Sequence, residues 1–207
     1  MPKVYACMLE KNSIAQRRSA LNATIFAAAD LSASKAAAVT INALQAEARW
    51  SLRVPERDVG KVPTVAGFQL DQPLNRFQSH EGRTATRLGP DEWLLLAPEA
   101  DAEMVALELM AALQQQQHAL VDVSHRNIAM TVSGRAAADV LNAGCPLDLR
   151  NARFPPGTAT RTLLGKCEIL LFRLDGGEPT FRVECWRSFA TYVSAFLTEA
   201  AREFHAK

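Results

Sequence analysis

The chain echoes itself. Thr84 to Leu96 reads TATRLGPDEWLLL and Thr160 to Phe172 reads TRTLLGKCEILLF, so Thr, Thr, Leu, Gly, Glu, Leu and Leu recur at one constant offset. Each copy reads as a strand, a turn at a glycine and an apolar strand, then a connection and a long helical pattern. That pattern is DAEMVALELMAAL behind the first copy and RSFATYVSAFLTEAAREF behind the second. At the same offset Ser51-Leu52-Arg53-Val54 stands against Asn127-Ile128-Ala129-Met130, which carries the echo back to another pair of strands. Repeated supersecondary units constrain a fold strongly and say little about chemistry.

Periodicity fills in the units. Ala48, Trp50, Leu52 and Val54 alternate with Glu47, Arg49, Ser51 and Arg53, the pattern of a half-buried strand that Pro55 ends. The stretch from Pro55 to His80 holds Pro63, Gly67 and Pro73 with weak periodicity, and reads as loop with a short helix. Behind Pro98, acidic Asp101 and Glu103 suit the positive end of a helix whose Val105, Leu109, Ala112 and Leu113 share one face. Ala119 to Val123 reads as a buried strand, followed by a second strand from Ile128 to Val132. Ser133-Gly134 then opens a short helix with Ala136, Ala137, Val140 and Leu141 inward, stopped at Gly144 and Pro146. Asp175-Gly176-Gly177 marks a hairpin, and Phe189, Val193, Phe196, Leu197, Ala200 and Phe204 form the stripe of the last helix.

These elements predict an α+β fold: two pseudo-repeated β-α-β-β-α units, with mostly antiparallel sheets and helices on one face, over residues 46–117 and 118–207. Residues 1–45 differ. They are polar and basic through Arg18, then Ala-rich without a clear apolar stripe, and read as an N-terminal arm ordered by a partner, with Arg17, Arg18 and Leu21 as its contact candidates.

With 207 residues and 48% hydrophobic content the chain has enough apolar material for a substantial core. Its net charge of +1 comes from 23 basic and 22 acidic residues, interspersed, with no basic stripe of the kind nucleic-acid binders carry. The N-terminus lacks a sustained apolar region followed by a cleavage site, and no run approaches the roughly 18 apolar residues of a membrane span. A soluble, cytoplasmic protein is expected. Cys7, Cys145, Cys167 and Cys185 stand far apart without CxxC spacing, and read as free thiols, Cys167 and Cys185 in buried strands.

No constellation for chemistry stands out. Asp122, Ser124 and His125 are nearly consecutive, and on extended chain they point in alternating directions, whereas a Ser-His-Asp triad needs three groups converging in space. They read as polar residues turning the chain between strands. His80, His118 and His205 show no ligand spacing, and Ser133-Gly134-Arg135 is the nearest approach to a phosphate loop, of a kind that far more commonly caps a helix. Trp50, Trp93 and Trp186 lie in or beside apolar runs and read as core. The expected inventory is therefore no catalytic, cofactor-binding or metal-binding residue.

The segment VDVSHRNIAMTVSGRAAADVLNAGCPLDL resembles the folate-binding T-protein of the glycine cleavage system. LGPDEWLLLAP, GCPLDLRNARFPPGTATRTLL and RVECWRSFATYVSAFL resemble, in order and spacing, the gamma-subunit family of heterotetrameric sarcosine oxidases, and Arg18-Ser19-Ala20-Leu21 is similar to that family's N-terminal R-S-P-L element. The resemblance implies a T-protein-like fold and a structural, non-catalytic role. It further implies a bacterial oxidase that demethylates sarcosine to glycine, with hydrogen peroxide and a one-carbon unit passed to tetrahydrofolate. Alpha, beta and delta subunits would be the partners, holding FAD, FMN, NAD, tetrahydrofolate and zinc between them. The folate-binding relatives place an acidic pair after a double glycine, whereas Gly165-Lys166-Cys167-Glu168 offers one carboxylate here. A free-standing folate-binding or aminomethyltransferase-like module is the alternative.

Overall fold

Strand-forming runs and turn residues assemble into a β-rich chain in the computed structural model, which describes residues 38–204. The first half holds β1 (Thr40–Ala43), β2 (Glu47–Arg53), α1 (Glu56–Val59), β3 (Thr64–Val65), β4 (Phe68–Gln69), β5 (Phe77–His80), β6 (Arg83–Arg87), β7 (Glu92–Pro98) and α2 (Ala102–Leu113). The second holds β8 (Ala119–Asp122), β9 (Asn127–Ser133), α3 (Ala137–Asn142), β10 (Ala159–Leu164), β11 (Cys167–Leu174), β12 (Thr180–Trp186) and α4 (Ala190–Ala201). A 3-10 turn leads into each long helix, Glu99–Asp101 before α2 and Arg187–Phe189 before α4.

Apart from the small β3-β4 hairpin, the strands form two five-stranded antiparallel sheets, ordered β5-β6-β7-β2-β8 and β10-β11-β12-β9-β1. Place by place the two orders match. Leu52 pairs with Trp93 in the first sheet as Val132 pairs with Phe181 in the second, and Leu120 lies beside Leu52 as Ile41 lies beside Val132. Val105, Leu109 and Leu113 bury the inner face of α2; Val193, Leu197 and Ala201 do so for α4. Even the stacked cations agree: the Arg87 guanidinium lies 5.2 Å from the Trp93 ring centroid, and that of Arg173 lies 4.5 Å from Phe181. A duplication is present, but the edge strands are traded. β8, from the second half, completes the first sheet, and β1, from the first half, completes the second.

The halves also meet along β5 and β10. The Phe77 amide donates to the Gly157 carbonyl at 3.0 Å and the Ala159 amide to that of Asn75 at 2.9 Å, a reciprocal pair centred on the Arg76–Thr158 bridge. Asn75 and Gly157 both adopt the left-handed backbone conformation, φ 59° and 79°, which Gly and Asn tolerate best. Each helix covers the outer face of its sheet, and the inner faces stack on one another through Leu94, Leu96, Ala159, Leu170 and Phe172.

Several expectations change. Both echoed segments form hairpins, β6-β7 and β10-β11, yet the sheet orders place β7 with β12 and not with β11, so Trp93 corresponds to Phe181 and not to Ile169. Likewise Ser51 does not answer to Asn127; the pairing sets Leu52 against Val132. Short glycine-broken hairpins with Leu-rich second strands resemble one another wherever they lie, and that local likeness set the wrong register. Residues 40–43, assigned to the arm, form β1, because Val39 and Ile41 are buried against the second core. The segment from Pro55 to His80 is not a plain loop: Val59, Val62, Val65, Phe68 and Leu70 line the first core, and β5 is a strand. β8 is an exposed edge strand, while Trp186 and Phe189 turn outward at the start of the last helix.

Candidate functional site

The two traded strands return to their own halves through short connectors, residues 44–46 and 123–126. Reciprocal bonds fix them: the Leu44 amide donates to the Ala129 carbonyl at 2.9 Å, and the Val123 amide to the Arg49 carbonyl at 2.8 Å. Between the connectors lies a cavity of about 380 Å³, within the range of small-molecule sites, lined by Glu47, Arg49, Glu99, His125, Asn127 and Arg187 among others.

The Ser124 hydroxyl accepts the Arg49 amide at 2.9 Å and faces the Arg49 carbonyl at 3.4 Å. Asp122 accepts the Ser124 amide at 2.8 Å through Oδ1. Ser124 is thus engaged with the backbone of β2, and Asp122 shapes the turn, as the sequence suggests. His125 lines the cavity from the same connector.

Beneath the cavity, between the sheets, sits a charge cluster. Arg49 reaches Glu184 with Nε at 3.3 Å and Nη2 at 3.3 Å, and its Nη1 donates to the Glu47 carbonyl at 2.9 Å. Arg49 Nη2 also meets the Glu47 carboxylate at 3.2 Å; Arg182 bridges the same two carboxylates, Glu47 and Glu184, and the Asn127 amide adds a bond to Glu184 at 3.3 Å. Burial alone would push the Glu184 carboxyl up, but Arg182 and Arg49 outweigh it and hold it below its ordinary value. Burial likewise opposes the charge on Arg182, yet Glu184 and Glu47 raise its affinity for the proton. The cluster is a buried, ionised pin between the sheets, with its carboxylates engaged by guanidinium groups.

Other candidates are dispersed. Gly165-Lys166 forms the β10-β11 turn, where the Lys166 amide donates to the Tyr192 hydroxyl at 3.1 Å; Glu168 follows, exposed. Cys145, Cys167 and Cys185 are buried free thiols, and burial first, then Cys167 and Glu184, push the Cys185 thiol up to about 12. Among the described residues no group of three or more His, Cys, Asp or Glu could hold a metal ion, and no helix is long and apolar enough to cross a membrane. Arg17, Arg18 and Leu21 lie outside the described residues.

Sequence reasoning passed over Arg49, Arg182 and Glu184. In β2 the charged positions alternate with Trp50 and Leu52 and read as the wet face of a half-buried strand; here that face meets the other sheet. The available signal was mixed sign within each of two strands, Glu47-Arg49 in β2 and Arg182-Glu184 in β12, so that each carries a counterion for the other.

Comparison with known proteins follows the same architecture. Residues 59–203 match the model of the "Sarcosine oxidase, gamma subunit family". A sarcosine oxidase subunit gamma from Corynebacterium sp. (strain P-1) is 37% identical over 61% of this chain, and the chain spans 60% of that relative's length. A chain of the heterotetrameric sarcosine oxidase from Corynebacterium sp. U-96, solved in complex with pyrrole 2-carboxylate, superposes with a TM-score of 0.79 at 28% identity. That superposition covers 92% of this chain and 97% of the other. The glycine cleavage system aminomethyltransferase T from Bartonella henselae superposes with a TM-score of 0.60 over 78% of this chain and 45% of its own, at 14% identity, a likeness of fold alone.

Proposed function

Because the chain belongs to the sarcosine oxidase gamma subunit family, we propose that it is the structural, non-catalytic subunit of a heterotetrameric sarcosine oxidase. That enzyme oxidatively demethylates sarcosine to glycine, yields hydrogen peroxide and passes the one-carbon unit to tetrahydrofolate. The observation that carries this reading is the superposition over 97% of a chain from a heterotetrameric sarcosine oxidase. Alpha, beta and delta subunits are the proposed partners, holding FAD, FMN, NAD, tetrahydrofolate and zinc, and the assembly belongs in the cytoplasm.

The residues support a structural role in a positive way. Ser124 bonds to the β2 backbone, Asp122 fixes a turn, and Arg49 and Arg182 are spent on Glu47 and Glu184. These polar groups hold the halves of the chain together. A free-standing folate-binding module has the T-protein likeness behind it, and that likeness extends to the fold alone.

The test is to co-express a tagged form with the other three subunits. Stoichiometric recovery of all four, with sarcosine-dependent peroxide release, is expected. The tagged chain purified alone should show no flavin absorbance and no sarcosine turnover. A stoichiometric flavin band on the isolated chain, or its recovery without partners from the co-expressing cells, overturns the proposal.

A further inference from the structure

The helices α2 and α4 hold the same place in the two halves, so their inner faces agree and only their outer faces are free to differ. They differ sharply. α2 presents Met104, Leu107 and Met110 to the outside at 50%, 68% and 62% exposure, spaced three residues apart along one stripe. The matching positions of α4 are Tyr192, Ala195 and Thr198, with Glu199 beside them where α2 has Ala111. With Val105, Leu109 and Leu113 already buried inward, α2 is apolar on both sides. A helix of that kind is stable where both sides are covered. Nothing in the fold requires the outer stripe, since α4 does the same internal work with a more polar outer face.

The surroundings say what covers it. From Leu88 to His125 the chain contains no Lys and no Arg, while Asp101 and Glu103 stand at the start of α2 and Glu108 lies on its flank. Glu108 is met by Arg83 at 2.6 Å and stays 41% exposed. The stripe is therefore apolar with an anionic rim concentrated at its N-terminal end. Flexible, polarisable Met side chains on either side of a Leu suit a partner groove of matching shape. Charge complementarity then asks for cations at one end of that groove.

We propose that the outer face of α2 is a subunit-docking surface, which seats Met104, Leu107 and Met110 in an apolar groove of another oxidase subunit whose rim carries Lys or Arg facing Asp101 and Glu103. This rests on the gamma-subunit reading above and names the surface that reading leaves open. α4 is not the counterpart: the matching positions of its outer face are Tyr192, Ala195 and Thr198.

The test uses the full chain, tagged and co-expressed with the other subunits. Four forms are compared: wild type, the triple variant Met104→Gln/Leu107→Gln/Met110→Gln, Leu107→Lys and Leu107→Glu. Thermal unfolding of each isolated chain reports folding. The triple variant should unfold like wild type and dissociate from the complex on dilution at least tenfold more readily. Leu107→Lys should weaken retention more than Leu107→Glu, because a cation there meets the partner's cations. If the triple variant itself unfolds at lower temperature, Leu107→Lys, a change at a largely exposed position, carries the test alone. Wild type that binds no other subunit overturns the gamma-subunit reading and this proposal together. A triple variant or, where that is unfolded, a Leu107→Lys variant retained as well as wild type overturns the docking surface alone. Equal loss with Lys and Glu removes the cationic rim from the partner, and an isolated wild-type dimer that the triple variant dissolves assigns the face to a second copy instead.

Discussion

Leu96 and Glu184 occupy the same place in the two sheets, Leu96 paired across to Arg49 and Glu184 to Ala129. One sits in the apolar cluster between the sheets and the other is the centre of the ion cluster. Two equivalent backbones thus use opposite chemistry on a single shared seam. On the outer faces the pattern inverts: there the sheets agree residue by residue, Trp93 with Phe181, Leu95 with Val183 and Ala97 with Cys185, all buried. The lesson is that a helix over a sheet demands shape, which both halves supply alike, whereas the seam demands that the two halves recognise each other in one alignment. Directional charge pairs fix an alignment that Leu against Leu would leave free to slide, a use of buried ion pairs with precedent in helical assemblies.

The agreement of the outer faces is broken most directly by truncation. Trp93→Ala and Phe181→Ala should each cost about 3–5 kcal/mol in denaturant unfolding, since both side chains are fully buried beneath a helix. Trp93 also loses the bond from its indole N–H to the Leu70 carbonyl at 3.1 Å, which places it toward the upper end. A loss under 1 kcal/mol at either site would end the equivalence.

The contrast on the seam is sharpened by Glu184→Gln, which leaves Arg49 and Arg182 buried with half their counter-charge and should cost about 3 kcal/mol. Its pH dependence has a definite sign. Glu184 titrates below its ordinary value of 4.5 when folded, so its contribution is full above that value and fades as pH falls through the lower folded value. Wild type should lose stability in that acid window more steeply than Glu184→Gln. Parallel acid limbs would show that the carboxylate is not what holds the seam.

The smallest effect compares the two stacked cations. Arg173→Gln and Arg87→Gln each remove a guanidinium from an aromatic face, worth about 0.5–2 kcal/mol. Arg87 loses in addition its bonds to the Pro90 carbonyl at 2.9 Å and the Gln72 carbonyl at 3.3 Å, so thermal melts should rank Arg87→Gln as the more damaging. The reverse order would mean that the deeper burial of Arg173 decides.

Most elements were legible in the sequence because they obey short-range rules. Alternation marked β2, the Gly165 and Asp175-Gly176-Gly177 turns marked two hairpins, and the Ala136 to Leu141 pattern marked α3. The strand trade was not legible, because β1 and β8 are four residues each and nothing local in TINA or ALVD says which sheet they join. For the same reason ALVD read as buried: β-branching reports strand, while edge or centre is a property of the sheet. The turn role of Asp122 and Ser124 followed from their spacing, but the bond between Arg49 and Glu184 joins residues whose proximity only the stacked sheets create.

The traded strands also put the molecule on a schedule. β8 ends at Asp122, so the first sheet has all its strands once that residue has left the ribosome. β1 is made earlier than any other described strand, yet its partner β9 begins at Asn127 and that strand's other neighbour is β12, which ends at Trp186. At ~5–20 residues per second, the stretch from Ala43 to Trp186 takes roughly 7–29 s, and for the last ~3–13 s of it, after Asp122, β1 waits beside a completed sheet that has no place for it. Whatever meets the nascent chain in that interval, a chaperone or a sister subunit made alongside it, encounters Val39 and Ile41 before the second core closes over them.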